Sequence, residues 1–178
     1  MRNRSRLHGF TLVEMMLAVA VLAILLGLAV PSLRDLQQRN RIAGAANELV
    51  AHINLARLHA VTRREITVMC PGTAASGCSG DNRWHRGWVV FRDPDRNGTP
   101  ENERDVLRVG PRFDGLWADS AGRTRIRYQP SGASPGTNQT IKLCDPGSDR
   151  SRAVIISNPG RPRVAALPDH LACPETSG

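Results

Sequence analysis

Aromatic side chains are scarce, with only seven Phe, Trp and Tyr residues in 178. Trp84, Trp88 and Phe91 crowd into one segment that reads as core, so the chain is poorly equipped to bind by stacking successive bases. Lysine is nearly absent. Of 24 basic residues only Lys142 is lysine, and the rest are arginine. A skew of that kind can arise from genomic base composition, so the net charge of +8 and the pI near 10.8 point to anionic partners without identifying one. There is no internal repeat, no low-complexity tract and no grouping of nucleophile, base and orienting residue, which argues against an enzyme. The five histidines, at 8, 52, 59, 85 and 170, include no metal-binding pair, since His52 and His59 lie two helical turns apart.

Four cysteines, at 70, 78, 144 and 173, form an even set in a chain that reads as exported, which favours disulfides over metal ligation. Three pairings are open. The stretch Pro71 to Gly77 is rich in turn formers and can bring Cys70 to Cys78, which would leave Cys144 with Cys173 to hold the C-terminus. Zinc would need closer Cys or Cys/His pairs than any present. Asp93-Pro-Asp95-Arg-Asn97-Gly98 resembles the opening of a calcium loop, but the twelfth position is Arg104 rather than Glu. An Asx-rich turn between strands explains the same residues.

One long apolar run is present, and what precedes it is informative. Residues 1–9 carry Arg2, Arg4 and Arg6 with no acid, which retains this end on the cytoplasmic side. Residues 10–33 follow with Glu14 as their single charge. As a helix they reach about 36 Å, enough to cross a hydrocarbon core of about 30 Å. In an ordinary secretory signal the apolar part lies before the cleavage site and is discarded. Here the small residue, Gly9, precedes the apolar run, so cleavage before Phe10 removes only the basic leader and retains the helix. A carboxylate inside an apolar helix is costly unless partnered, which makes Glu14 a candidate functional residue.

Beyond Pro31 the pattern becomes amphipathic, with Ile42, Ala46, Leu49, Ile53, Ala56 and Ala60 at steps of four and three. This predicts one helix to about Thr62, kinked or loosened at Pro31, with its apolar stripe against a sheet. From Ile66 the signals are short strand-like runs between Gly, Pro, Asn and Asp, at 66–70, 88–92, 106–109, 125–129, 140–144, 153–157 and 163–167. The expected class is α+β with an antiparallel head. The expected organisation is a leader at 1–9, a membrane and assembly helix at 10–33, its amphipathic continuation at 34–62 and a β-rich head at 63–178.

Basic residues concentrate late in the chain. From Arg123 to Arg163 there are eight basic residues against two acids, a net +6, while the chain from Phe10 onward has 21 against 16, or +5. Arg123, Arg125 and Arg127 alternate with Thr124, Ile126 and Tyr128, which places three guanidiniums on one strand face. Lys142, Arg150 and Arg152 complete the group. In Gly160-Arg161-Pro162-Arg163 the proline disfavours helix at Arg161, so both arginines point the same way about 6.6 Å apart and can grip neighbouring phosphates. Asn158-Pro159-Gly160 places that pair at an exposed turn.

The order Gly9-Phe10-Thr11-Leu12-Val13-Glu14 ahead of an uncharged apolar run resembles the class III signal of type IV prepilins. Trp84-His-Arg-Gly87-Trp88-Val-Val-Phe91, Asp93 to Gly98 and Asp105-Val-Leu are similar to the head of the FimT/GspH family. The resemblance implies a type IV pilin-like fold, a prepilin peptidase that cuts after Gly9, and N-methylation of Phe10. It implies an amine that meets Glu14 of a neighbouring pilin subunit, residence in the inner membrane with a periplasmic head before assembly, and no cofactor. The Gly160 to Arg163 segment matches the GRxR pattern that in FimT-type pilins is associated with DNA binding during natural transformation. The alternative within the family is a GspH-like pseudopilin of a type II secretion system, or a minor pilin whose role is structural priming.

Overall fold

A computed structural model describes residues 11–148, 150–168 and 170–173. The chain separates into two compact units, Met1–Gln37 and Gln38–Gly178. One helix, α1, runs from Leu12 to Arg63, and its backbone stays helical through position 31, in keeping with the single helix expected there. Arg64, with φ at 56°, takes the left-handed conformation that ends helices and closes α1.

In the first unit every described side chain from Leu12 to Val30 is exposed. This stretch meets the length and composition requirement for crossing a membrane. Its first turn is closed by a reciprocal pair. The Thr11 hydroxyl accepts from the Glu14 amide (3.2 Å), and the Glu14 carboxylate accepts from the Thr11 amide (3.1 Å).

Among the described residues the second unit contains the remainder of α1 and nine strands. These are β1 (Thr67–Thr73), β2 (Gly77–Cys78), β3 (Trp88–Arg92), β4 (Val106–Gly110), β5 (Trp117–Ser120), β6 (Ile126–Tyr128), β7 (Gln139–Cys144), β8 (Ser151–Ile156) and β9 (Pro162–Ala165). The first sheet has the order β2-β1-β3-β4 with β6 also on β1, and the second has the order β5-β7-β8-β9. Every pairing is antiparallel. All seven expected strands are present; β2 and β5, of two and four residues, were not anticipated.

The core forms where α1 meets both sheets. Ile42, Ala46, Leu49, Ile53, Ala56 and Ala60 of the helix are buried against Met69, Trp88, Ile126 and Tyr128 of one sheet and Ile141, Leu143, Val154 and Ile156 of the other. The run of alanines brings the helix backbone close to the sheets. The reverse side of the first sheet carries a smaller cluster of Ile66, Val68, Cys70, Val89 and Phe91. Gly110 is required because the Trp88 ring lies across it, where a Cβ would fall 1.9 Å from the ring.

Both disulfides are formed, Cys70–Cys78 and Cys144–Cys173, with Cα separations of 5.5 and 5.8 Å. The first staples the β1–β2 hairpin. The second returns the C-terminal tail to β7, where Lys142 Nζ donates to the Ala172 carbonyl (3.1 Å).

Two polar side chains, Arg41 and His52, tie the helix to the sheets. The Arg41 guanidinium donates to Asp145 at the β7–β8 turn (2.7 Å). His52, buried, accepts from the Trp88 indole N–H at Nδ1 (2.8 Å) and lies 3.5 Å from Glu48. Burial lowers the pKa of His52 below its ordinary value of 6.5, against a raising influence of Glu48, and burial likewise lowers that of half-buried His59. The unfolded chain therefore takes up protons at a higher pH than the folded one, and stability falls as pH drops below about 6.5. Thermal melts between pH 7.5 and 5 are expected to show a falling Tm. The dependence should weaken in His52→Asn, which retains an acceptor for Trp88.

Candidate nucleic-acid interface

Strand β9 is the free edge of the second sheet, and Pro162 at its start has no N–H to present there. Arg163 is paired in register with Ile155, on the side of the sheet facing away from the α1 core. Arg161 lies at the turn immediately before β9, its carbonyl accepting from the Ser157 amide (3.4 Å), and extended alternation carried one residue beyond the strand would put it on that same side. Both arginines are exposed, and among the described residues neither guanidinium has a partner.

The turn that carries them is held from below. Gly160 has φ at 81°, and a Cβ there would lie 2.1 Å from the Gly132 carbonyl oxygen and 2.7 Å from the Tyr128 ring. Tyr128 is fully buried and donates its hydroxyl to the Gly160 carbonyl (2.9 Å). Burial pushes that hydroxyl far above its ordinary pKa, so it remains a donor at any physiological pH. The Ser134 amide and hydroxyl donate to the Asn158 and Ser157 carbonyls at 2.9 and 3.1 Å, and Arg57 of α1 donates to Gly132 (2.9 Å). The two loops, 129–138 and 157–161, thus form one braced ledge.

Arg123 and Arg127 flank this ledge. The Arg123 guanidinium donates to the Gly136 carbonyl, and the Arg127 amide donates to the Thr137 hydroxyl (3.2 Å). Arg127 Nε is buried with no partner among the described residues. Arg125 is drawn elsewhere, its guanidinium lying over Gly98. Lys142 is on the same sheet face as Arg163 but is neutralised, 3.4 Å from Asp119 and capped by Ala172. Arg150 and Arg152 lie at the opposite end of β8, and Arg152, paired with Leu143, is on the other face. The nine residues singled out therefore divide. Gly160, Arg161, Arg163 and Arg123 gather around the ledge, while Arg125, Lys142, Arg150 and Arg152 do not join them, and the Arg127 side chain, in register with Val68, is on the reverse face of the first sheet.

The Asp93 to Gly98 segment is an Asx-rich turn. Asp93 Oδ1 accepts from Gly98 N (3.0 Å), Asp95 from Asn97 Nδ2 (2.5 Å), and Asn97 Oδ1 from the amide and hydroxyl of Thr99 (2.8 and 2.9 Å). No grouping of three metal-ligating side chains occurs among the described residues. The processing residues Gly9 and Phe10 lie outside the described residues. Glu14 lies on a shallow apolar groove with Leu17, Ala18, Val21, Leu22 and Leu25 of the first unit. Its exchange with Thr11 had a sequence signal that went unused, the Thr-x-x-Glu spacing from Thr11 to Glu14.

An exposed apolar helix that continues into an amphipathic one, packed on antiparallel sheets, defines a pilin-like filament subunit. The chain belongs to the GspH family, described as type II transport protein GspH, whose pattern matches residues 45–160. Residues 4–30 match the prokaryotic N-terminal methylation motif. The chain is 29% identical over 169 residues to the pilin-like protein PilA1 of Thermus thermophilus, covering 88% of this chain and 97% of that one. Crystal structures of the type IV minor pilin FimU of Pseudomonas aeruginosa share the fold. One has a TM-score of 0.58 at 23% identity over 79% of this chain, and the other 0.54 at 24% over 75%; each is covered to 98%.

The ledge is sensitive to the glycine at 160. Gly160→Ala must displace Gly132 or Tyr128, and a loss of about 1–3 kcal/mol in urea denaturation is expected.

Proposed function

We propose that this chain is a minor pilin of a type IV pilus whose head binds DNA through Arg161 and Arg163 during uptake of DNA in natural transformation. The observation that carries this reading is the pair of exposed, unpartnered guanidiniums on one face of an edge strand, mounted on a ledge braced by Tyr128, Gly132, Gly160 and Ser134. Two cations held at fixed spacing suit consecutive phosphates, and Arg123 extends the positive rim. Contacts of this kind are sequence-tolerant and driven by release of counterions. Glycine at 160 serves the same end by letting the turn sit on Tyr128.

In the same reading, a prepilin peptidase removes residues 1–9, Phe10 becomes the methylated N-terminus, and residues 10–33 hold the subunit in the inner membrane with residues 63–178 in the periplasm. Residues 34–62 continue the helix into the head. Glu14 then gives up its contact with Thr11 for the amine of a neighbouring subunit, because a carboxylate in hydrocarbon is held best by an opposite charge. The match to a type II transport family favours a second reading, a pseudopilin or priming minor pilin with a structural role alone.

The full-length chain in nonionic detergent is expected to retard duplex DNA in gels at low salt. Arg161→Gln with Arg163→Gln should abolish retardation without changing the circular dichroism, and Arg161→Gln alone should reduce the salt slope of binding by about one. Retardation by the double variant equal to the parent's would overturn the arginine site, and absence of retardation by the parent would assign the chain to the structural reading. Mass spectrometry of the subunit from native filaments should show a terminus at methylated Phe10.

A further inference from the structure

Three tryptophans occur in the chain; Trp84 and Trp88 are fully buried, but Trp117 is 38% exposed. It lies on edge strand β5, paired with Cys144, and therefore on the sheet face that also carries Asp119, Lys142 and Arg163. Its ring is fixed in two ways. The indole N–H donates to Asp119 (2.7 Å), and the ring is stacked on His85 with centroids 4.4 Å apart and planes 29° from parallel. His85 is itself held by Ala118, whose carbonyl oxygen and amide lie 3.0 and 3.3 Å from Nδ1. Asp119, the one acid at the ring, is neutralised by Lys142 (3.4 Å). Arg86, next to His85, is exposed.

An indole with its rotamer fixed, its polar edge satisfied and part of its ring in water is a preorganised stacking surface. It has little side-chain entropy left to lose on binding. Across three strand spacings and about four residues of register, Trp117 is on the order of 20 Å from Arg163. A flexible polynucleotide can span that distance on one face, whereas paired bases in a duplex keep their flat faces covered.

We infer that the His85–Trp117 stack is a platform for an unpaired nucleobase, so that a single strand gripped at Arg161 and Arg163 gains a second contact at the far edge of the same sheet. The inference rests on the DNA-binding reading and adds strand preference to it. A single stacked base is compatible with an aromatic content too low for stacking successive bases. The indole of Trp117 provides the π-face, and no base edge is read, so the contact is indifferent to sequence.

The test uses the full-length chain in nonionic detergent, a 12-residue oligothymidylate and a duplex of the same length, with tryptophan emission and gel retardation as readouts. With the other two indoles buried, quenching reports on Trp117. The parent should be quenched by the oligothymidylate but not by the duplex, and should bind the single strand about tenfold more tightly. Trp117→Ala should lose the quenching and bind both ligands equally. Trp117→Phe should bind like the parent without quenching. The Arg161→Gln, Arg163→Gln variant should bind both ligands weakly yet be quenched at saturating oligothymidylate.

Unchanged single-strand affinity in Trp117→Ala, or no quenching of the parent at saturation, would overturn the platform while leaving the arginine site standing. Quenching by a neutral oligosaccharide in place of the oligothymidylate would overturn it in favour of a sugar ligand. Absence of binding to either nucleic acid would overturn both readings together.

Discussion

The head depends on the contact between one helical stripe and two sheets. Ala46, Ala56 and Ala60 let the helix backbone approach the strands, while Leu49 and Ile53 fill the space between them, and all are essentially inaccessible to water. Neither sheet has another apolar surface large enough to hold it to its partner, since the cluster around Phe91 serves only one side of the first sheet. With the helix as shared floor, the second sheet can expose its opposite face. That freedom allows charged and aromatic side chains to stand on the outer side of β5, β7 and β9 without disturbing the core.

Much of this was legible in the sequence. The four-three spacing from Ile42 to Ala60 fixed both the type of element and its end, because a helical stripe facing a sheet must repeat in that way. Strand β3 was visible as Trp88 to Arg92, since it is buried on both faces and reads as an unbroken apolar run. Strand β5 was not, because Trp117-Ala-Asp-Ser is short, half polar and joined to the sheet only through β7, a partner more than twenty residues later. The single helix expected across Pro31 is present. A proline removes one hydrogen bond and crowds one carbonyl, and an otherwise strong apolar helix former carries on past it.

The candidate site was legible in its most local part alone. Gly160 to Arg163 could be read as a turn followed by an extended pair because proline and glycine dictate backbone conformation over two or three residues. The wider basic group could not. Arg150 and Arg161 are eleven positions apart yet sit at opposite ends of β8, and Lys142 is matched to an acid, Asp119, that sequence order hides. Stacking of His85 on Trp117 joins residues 32 apart with no local pattern to announce it. Charge counted along a chain is therefore a poor guide to charge arranged on a surface, especially in antiparallel sheets, where successive turns alternate ends.

Strand β9 is hydrogen-bonded on one side only, so a pull applied at its arginines would detach it from β8 one bond at a time, like a zipper opened from its end. The tail that follows β9 does not run free; Cys173 is bonded to Cys144 on β7, beyond β8. Peeling can therefore release no more slack than the loop between Ala165 and Cys173, after which tension passes through the disulfide into the middle of the sheet. A filament subunit hauled against resistance is in this way protected at its weakest seam.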